Sequence, residues 1–202
     1  LNPYEHENQF IRINKIENIS QYNNFLLKIG DYIESSHVLI VQDDGHIVNP
    51  SMWSDDYLMY DYIGAPWPNS YQWNKRWEKY DNKSIVINSK KNRVGNGGFS
   101  LRSRKFLDYS SNFSDCEGYA EDVYLCLVKY QEAINKDIKF APFEIAKKFS
   151  YEVPLGGIFN NKEKKNINFN IEDHFGWHGK RFKNSEELME LKFSEEEFYS
   201  GR

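Results

Sequence analysis

The chain has 202 residues, 40% hydrophobic and 28% charged, and 26 basic against 30 acidic side chains leave a formal net charge of −4. These values describe one folded domain over residues 1–202, long enough to bury a core without disulfides or a structural metal. They exclude a disordered tail, as does an aromatic content of 16%. A mildly acidic chain with only short basic clusters, such as Lys90, Lys91 and Arg93, is not built to neutralise phosphates along a nucleic acid. No run approaches the ~18 apolar residues of a membrane span, and Leu1–Phe10 lacks the basic start and apolar stretch of a signal peptide, so the expected location is cytoplasmic. Cys116 and Cys126 are too few for a disulfide framework or a zinc site, and Cys126 reads as a buried free thiol.

In chain order, Tyr22, Phe25, Leu26, Ile29, Tyr32 and Ile33 fall at helical spacing, which predicts a helix over 20–35 capped by Ser20. His37–Val41 is a β-branched run that predicts a strand buried on both faces, ending at Gln42-Asp43-Asp44-Gly45. A helix leading into such a strand indicates an α/β layer architecture. Residues 60–63 predict a second strand. The polar and aromatic stretch that follows, to about Asn92, contains Trp67, Trp73 and Trp77 and reads as a long loop of the lid or binding type. Gly95-Asn96-Gly97-Gly98 leads into a strand at Phe99, and Ser103 caps a helix through Tyr109. Glu121-Asp122 opens another helix with Val123, Leu127, Tyr130 and Ile134 on one stripe. A strand at 138–141, a helix begun by Pro142, an extended piece at 149–153 and an acidic helix over 185–198 complete the pattern.

Four places carry chemistry. Asp43 and Asp44 follow a strand end, where carboxylates can hold a divalent cation, although Asp-Asp-Gly is also an ordinary turn. The glycines at 95, 97 and 98 permit positive φ or close approach of the backbone to a ligand, while fitting no nucleotide-binding fingerprint. Glu121 and Asp122 complement the helix dipole, and either could instead serve as a general base. Residues 174–180 gather His174, Phe175, Trp177, His178 and Lys180 in a Gly-broken stretch, where an imidazole could complete a cation site and a lysine could meet a phosphate.

Read in order, Asp44, Tyr62-Ile63-Gly64-Ala65-Pro66-Trp67, Gly95-Asn96-Gly97-Gly98-Phe99-Ser100-Leu101-Arg102, Glu121-Asp122-Val123 and Phe175-Gly176-Trp177-His178-Gly179 resemble a family of uncharacterised glycosyltransferase-like domains. That family is similar to the GT-A nucleotide-sugar transferases. The resemblance implies a mixed sheet flanked by helices, with the N-terminal nucleotide-binding part shortened, because Asp44 comes early. It implies Mn²⁺ or Mg²⁺ held by Asp44 and His178, with Asp43 beside them and His174 as the competing histidine. Gln42 stands where an Asp-x-Asp motif has its first carboxylate. Trp67, Gly97, Gly98, Phe99, Trp177 and Lys180 would contact donor or acceptor, and Asp122 or Glu121 would be the catalytic base. The implied reaction moves a sugar from a UDP- or GDP-sugar to a glycan or other hydroxyl acceptor, with inversion. The rival reading is a non-catalytic carbohydrate-binding or scaffold domain of the same fold.

Overall fold

The computed structural model describes residues 11–67, 73, 80, 83–152 and 173–179. The helix predicted over 185–198 and a stretch at 154–170, rich in Gly, Asn and Lys, lie outside them.

The first helix, α1, runs Ile19–Leu27 and is capped by Asn18, whose side chain accepts from the Gln21 N–H, two residues before the predicted cap. It stops at Lys28 and tightens into a 3₁₀ turn over Ile29–Tyr32, where Gly30 packs against Leu107. The helical spacing over 20–35 therefore spans two elements rather than one continuous helix.

Strand β1 is His37–Val41, β2 Gly45–Ile47, β3 Tyr62–Gly64, β4 Phe99–Ser103, β5 Ser150–Tyr151 and β6 Gly176–His178. They form two three-stranded sheets, ordered β1-β4-β3 and β2-β6-β5. The first is antiparallel throughout; the second is mixed, with β2 antiparallel and β5 parallel to β6. Together with the helices this is an α/β protein, as the sequence predicts. The expectation for β1 itself is corrected. It lies at a sheet edge, only Ile40 is buried along it, and Val41 is 46% exposed. The central strand is β4, buried at all five positions, because it pairs on both sides.

Further α-helices among the described residues are α2 (Lys83–Asn88), α3 (Arg104–Ser110), α4 (Glu121–Val123), α5 (Tyr130–Asn135) and α6 (Phe143–Phe149). Ser103 caps α3 as predicted, its hydroxyl accepting from the Phe106 N–H at 3.1 Å. Between α4 and α5 a π-helical turn, Tyr124–Val128, closes with the Lys129 N–H on the Tyr124 carbonyl. Its extra residue rotates the following helix. Ala133 therefore turns into the core, and Ile134, predicted on the buried stripe, is 38% exposed. Residues 138–141 make only an isolated bridge, Tyr62 to Phe140.

Aromatic rings dominate the core. Phe99 packs against Phe149 and Phe175 with centroids 5.5 and 5.8 Å apart, and Trp67 meets Trp73 edge-on at 5.0 Å. Burying each such side chain contributes roughly 1.5–3 kcal/mol. Trp73, expected in a lid-like loop, is therefore a core residue; Trp77 lies outside the described residues. Among the described residues, no helix is long and apolar enough to cross a membrane.

Candidate functional site

The motifs converge where the two sheets meet at the ends of β1 and β6. Gln42 follows β1, and its N–H donates to the Gly98 carbonyl at 2.8 Å, tying the strand end to the glycine loop. Across β2, Gly45 pairs with His178, and the Gly179 N–H donates to the Asp44 carbonyl. These backbone bonds bring together side chains 134 positions apart: His178 Nε2 lies 3.0 Å from Asp44 Oδ1.

The same nitrogen lies 3.1 Å from Gln42 Oε1. The Gln42 amide is oriented from behind, because its Nε2 donates to the Tyr22 hydroxyl at 2.7 Å, leaving the carbonyl oxygen to face the imidazole. The other ring nitrogen, Nδ1, is buried, makes no hydrogen bond, and faces Glu152 Oε1 at 3.6 Å. Burial by itself would push the His178 imidazole down; Glu152 and Asp44 outweigh it and hold it above its ordinary value. The ring also lies flat on the glycine loop. A Cβ at Gly98 would sit 1.9 Å from Nε2, so any larger residue would displace the ring from this position. The expectation of positive φ is not met here: among the described glycines only Gly118 and Gly179 adopt it. The loop uses glycine for contact with side chains of its own chain.

Glu121 and Asp122 part company. Glu121 is 3% exposed and receives both ends of the buried Arg102 guanidinium, Nη1 at 2.5 Å and Nη2 at 3.2 Å. Arg102 Nε donates to Ser100 Oγ, which donates to the Gly97 carbonyl, so this pair braces the glycine loop from beneath. Among the described residues, no cationic side chain pairs with Asp122. It accepts from the Gly97 N–H at 3.2 Å and from its neighbour Val123 at 2.7 Å. Burial pushes its carboxyl up to about 6, the charge of Glu121 adds to the rise, and the two N–H donors oppose it.

The other predicted residues fall elsewhere. His174 is turned away from Asp44. Its Nδ1 lies 2.5 Å from the Lys147 carbonyl, its ring rests on Tyr151, and burial lowers its pKa. Asp43 is exposed. Trp67, Phe99 and Trp177 are 5%, 0% and 2% exposed, and Trp177 stacks on Tyr151. They are packed into the core, which leaves them little surface for the donor or acceptor contact expected of them. Lys180 lies outside the described residues. Both cysteines are free and buried, and burial pushes the Cys116 thiol up to about 12. Among the described residues, no group of three His, Cys, Asp or Glu side chains could hold a metal ion. Beside Asp44 and His178 stands a carboxamide, Gln42.

The sequence did not reveal the contact of Gln42 with His178, nor the parts played by Tyr22, Glu152 and the Arg102–Glu121 pair. Gln42 carried a signal in its position two residues before Asp44. Nothing in the sequence pointed to Glu152.

Fold and site thus define an α/β protein with a half-open acidic cluster around one histidine, at the junction of two small sheets. The chain belongs to the family described as "Protein of unknown function (DUF5672)", whose profile matches residues 5–169. No curated protein and no solved structure matches the chain.

Proposed function

We propose that this chain is a metal-dependent glycosyltransferase of GT-A-like architecture. It would transfer a sugar from a nucleotide-sugar donor to an acceptor hydroxyl with inversion. The observation that carries the reading is the convergence of Asp44 and His178 at 3.0 Å, with the glycine loop and Asp122 beside them. Four motifs scattered over the chain meet at one place, which turn or capping roles alone would not require.

The donor atoms suit a hard to borderline divalent ion such as Mn²⁺ or Mg²⁺. Two ligands of one octahedral ion, each about 2.1 Å from it, lie about 3 Å apart. The spacings of His178 Nε2 from Asp44 Oδ1 and Gln42 Oε1, 3.0 and 3.1 Å, suit that arrangement. Such an ion would supply Lewis-acid neutralisation of the departing diphosphate.

Asp122 supplies the base. Its carboxylate takes the proton of the acceptor hydroxyl as that oxygen forms a bond to the anomeric carbon. The bond from that carbon to the diphosphate oxygen breaks, and its electron pair leaves with the diphosphate. A carboxyl raised to about 6 is still ionised at neutral pH while being more basic than an exposed aspartate. Glu121 cannot share this role, because both its oxygens are committed to Arg102. The rival reading, a carbohydrate-binding domain, draws less support, since the aromatics it would need for stacking are core residues.

Calorimetric titration with UDP- and GDP-sugars, with and without Mn²⁺, separates the two readings. Metal-dependent donor binding by the wild type, retained in Asp122→Asn while turnover is lost, is the expected result. Sugar binding that ignores both nucleotide and metal would sink the transferase.

A further inference from the structure

The parallel register of β5 and β6 pairs Ser150 with Gly176 and Tyr151 with Trp177. Continued by one residue, it sets Glu152 beside His178, on the same face of the sheet. On the opposite flank β2 presents Gly45, which has no side chain to compete. The result is a buried ring nitrogen, Nδ1, without a hydrogen bond, facing a single carboxylate oxygen at 3.6 Å. That separation is beyond a hydrogen bond and within reach of a small rotation of either side chain.

We infer that Glu152 is a positioning residue, which takes the Nδ1–H of His178 and so directs the Nε2 lone pair toward Asp44 and Gln42. The two ring nitrogens compete for one proton in the neutral imidazole, and a ligand needs its coordinating nitrogen bare. Once a cation takes the Asp44 and Gln42 oxygens, which otherwise lie within hydrogen-bond distance of Nε2, a carboxylate on the far nitrogen settles that competition, makes the near nitrogen a better donor, and fixes the ring plane. The contact of the ring with Gly98 blocks one face but does not choose between tautomers; Glu152 does. For its consequence the inference rests on the cation reading proposed above, and its test separates the two.

Mn²⁺ binding to the full chain, followed by the electron paramagnetic resonance of the free ion without any nucleotide, gives the first readout. Glu152→Ala should weaken Mn²⁺ binding about 10–100-fold. Glu152→Gln, which keeps an acceptor oxygen, should recover most of that loss. The second readout uses Zn²⁺ as a diamagnetic probe and ¹⁵N-labelled histidine. The His178 Nδ1–H should be slow to exchange in the wild type and in Glu152→Gln, and fast in Glu152→Ala. Wild-type affinity in Glu152→Ala overturns the positioning role and leaves the cation site standing. Equal weakness of the Gln and Ala variants also overturns it, since the effect would then be one of charge. If Glu152→Ala does not fold, the Gln variant decides: a fast-exchanging Nδ1–H there overturns the inference. Failure of the wild type itself to bind Mn²⁺ overturns the cation reading, and this inference with it.

Discussion

Glu121 and Asp122 are neighbours at the start of one helix, yet they sit in two opposite kinds of polar environment. Glu121 is buried and fully compensated, with Arg102 on both oxygens and Ser100 completing the network. Asp122, together with Asp44, Glu152 and His178, belongs to a half-open cluster in which negative charge exceeds what surrounds it. The first arrangement is a structural brace. In the second, burial raises Asp122, with Glu121 and Glu152 adding to the rise, while Glu152 and Asp44 hold His178 above its ordinary value against burial, the kind of perturbation that collects at functional sites. Compensation, more than the presence of carboxylates, separates scaffold from site.

The largest effect should come from breaking the compensated side. Arg102→Met leaves a buried glutamate without its counter-charge, and chemical denaturation should show a loss of about 3–5 kcal/mol. Adding Glu121→Leu should restore much of it, because removing both charges removes the desolvation cost. A double variant as unstable as the single one would mean that Arg102 acts through packing on Tyr62 and Phe106.

On the uncompensated side, removing charge should stabilise. The Asp122 carboxyl is raised in the folded chain to about 6, above its ordinary value of 3.8. Below the unfolded value both states are protonated and nothing is gained or lost. As pH rises toward 6 the unfolded chain ionises first, and the fold loses stability relative to it. Asp122→Asn should therefore be more stable than wild type by about 3 kcal/mol above pH 6, an advantage that fades as pH falls to about 4. Turnover should move the other way, falling as pH drops through about 6 in the wild type.

A smaller and more local effect is expected at Gly98→Ala. The methyl group would displace the His178 ring, costing about 1 kcal/mol of stability, because the ring can tilt at the half-open end. Mn²⁺ affinity should fall much further than stability does. Parallel losses in both would place the ring among the scaffold residues.

How much of this could be read from the residues varies with the distance over which each feature is decided. The Ser103 cap, the strand at His37–Val41 and the helix begun by Pro142 follow from neighbours within a few residues, and they occur as predicted. The edge position of β1 does not, because a β-branched run is compatible with either a central or an edge strand. The aromatics mislead for a related reason. Trp67, Phe99 and Trp177 lie inside distinctive motifs, yet those motifs supply core residues as well as residues of the site.

The sequence by itself determined the composition of the site: carboxylates after a strand, a glycine loop, a Glu-Asp pair opening a helix and a Gly-flanked histidine. Tertiary structure decided their roles. Successive residues on a helix point about 100° apart, so one of two adjacent acids meets Arg102 and the other the glycine loop. His178 instead of His174 reaches Asp44 because β6 pairs with β2 at Gly45. Glu152 enters only through the parallel register of β5 on β6, a long-range pairing that no local pattern encodes.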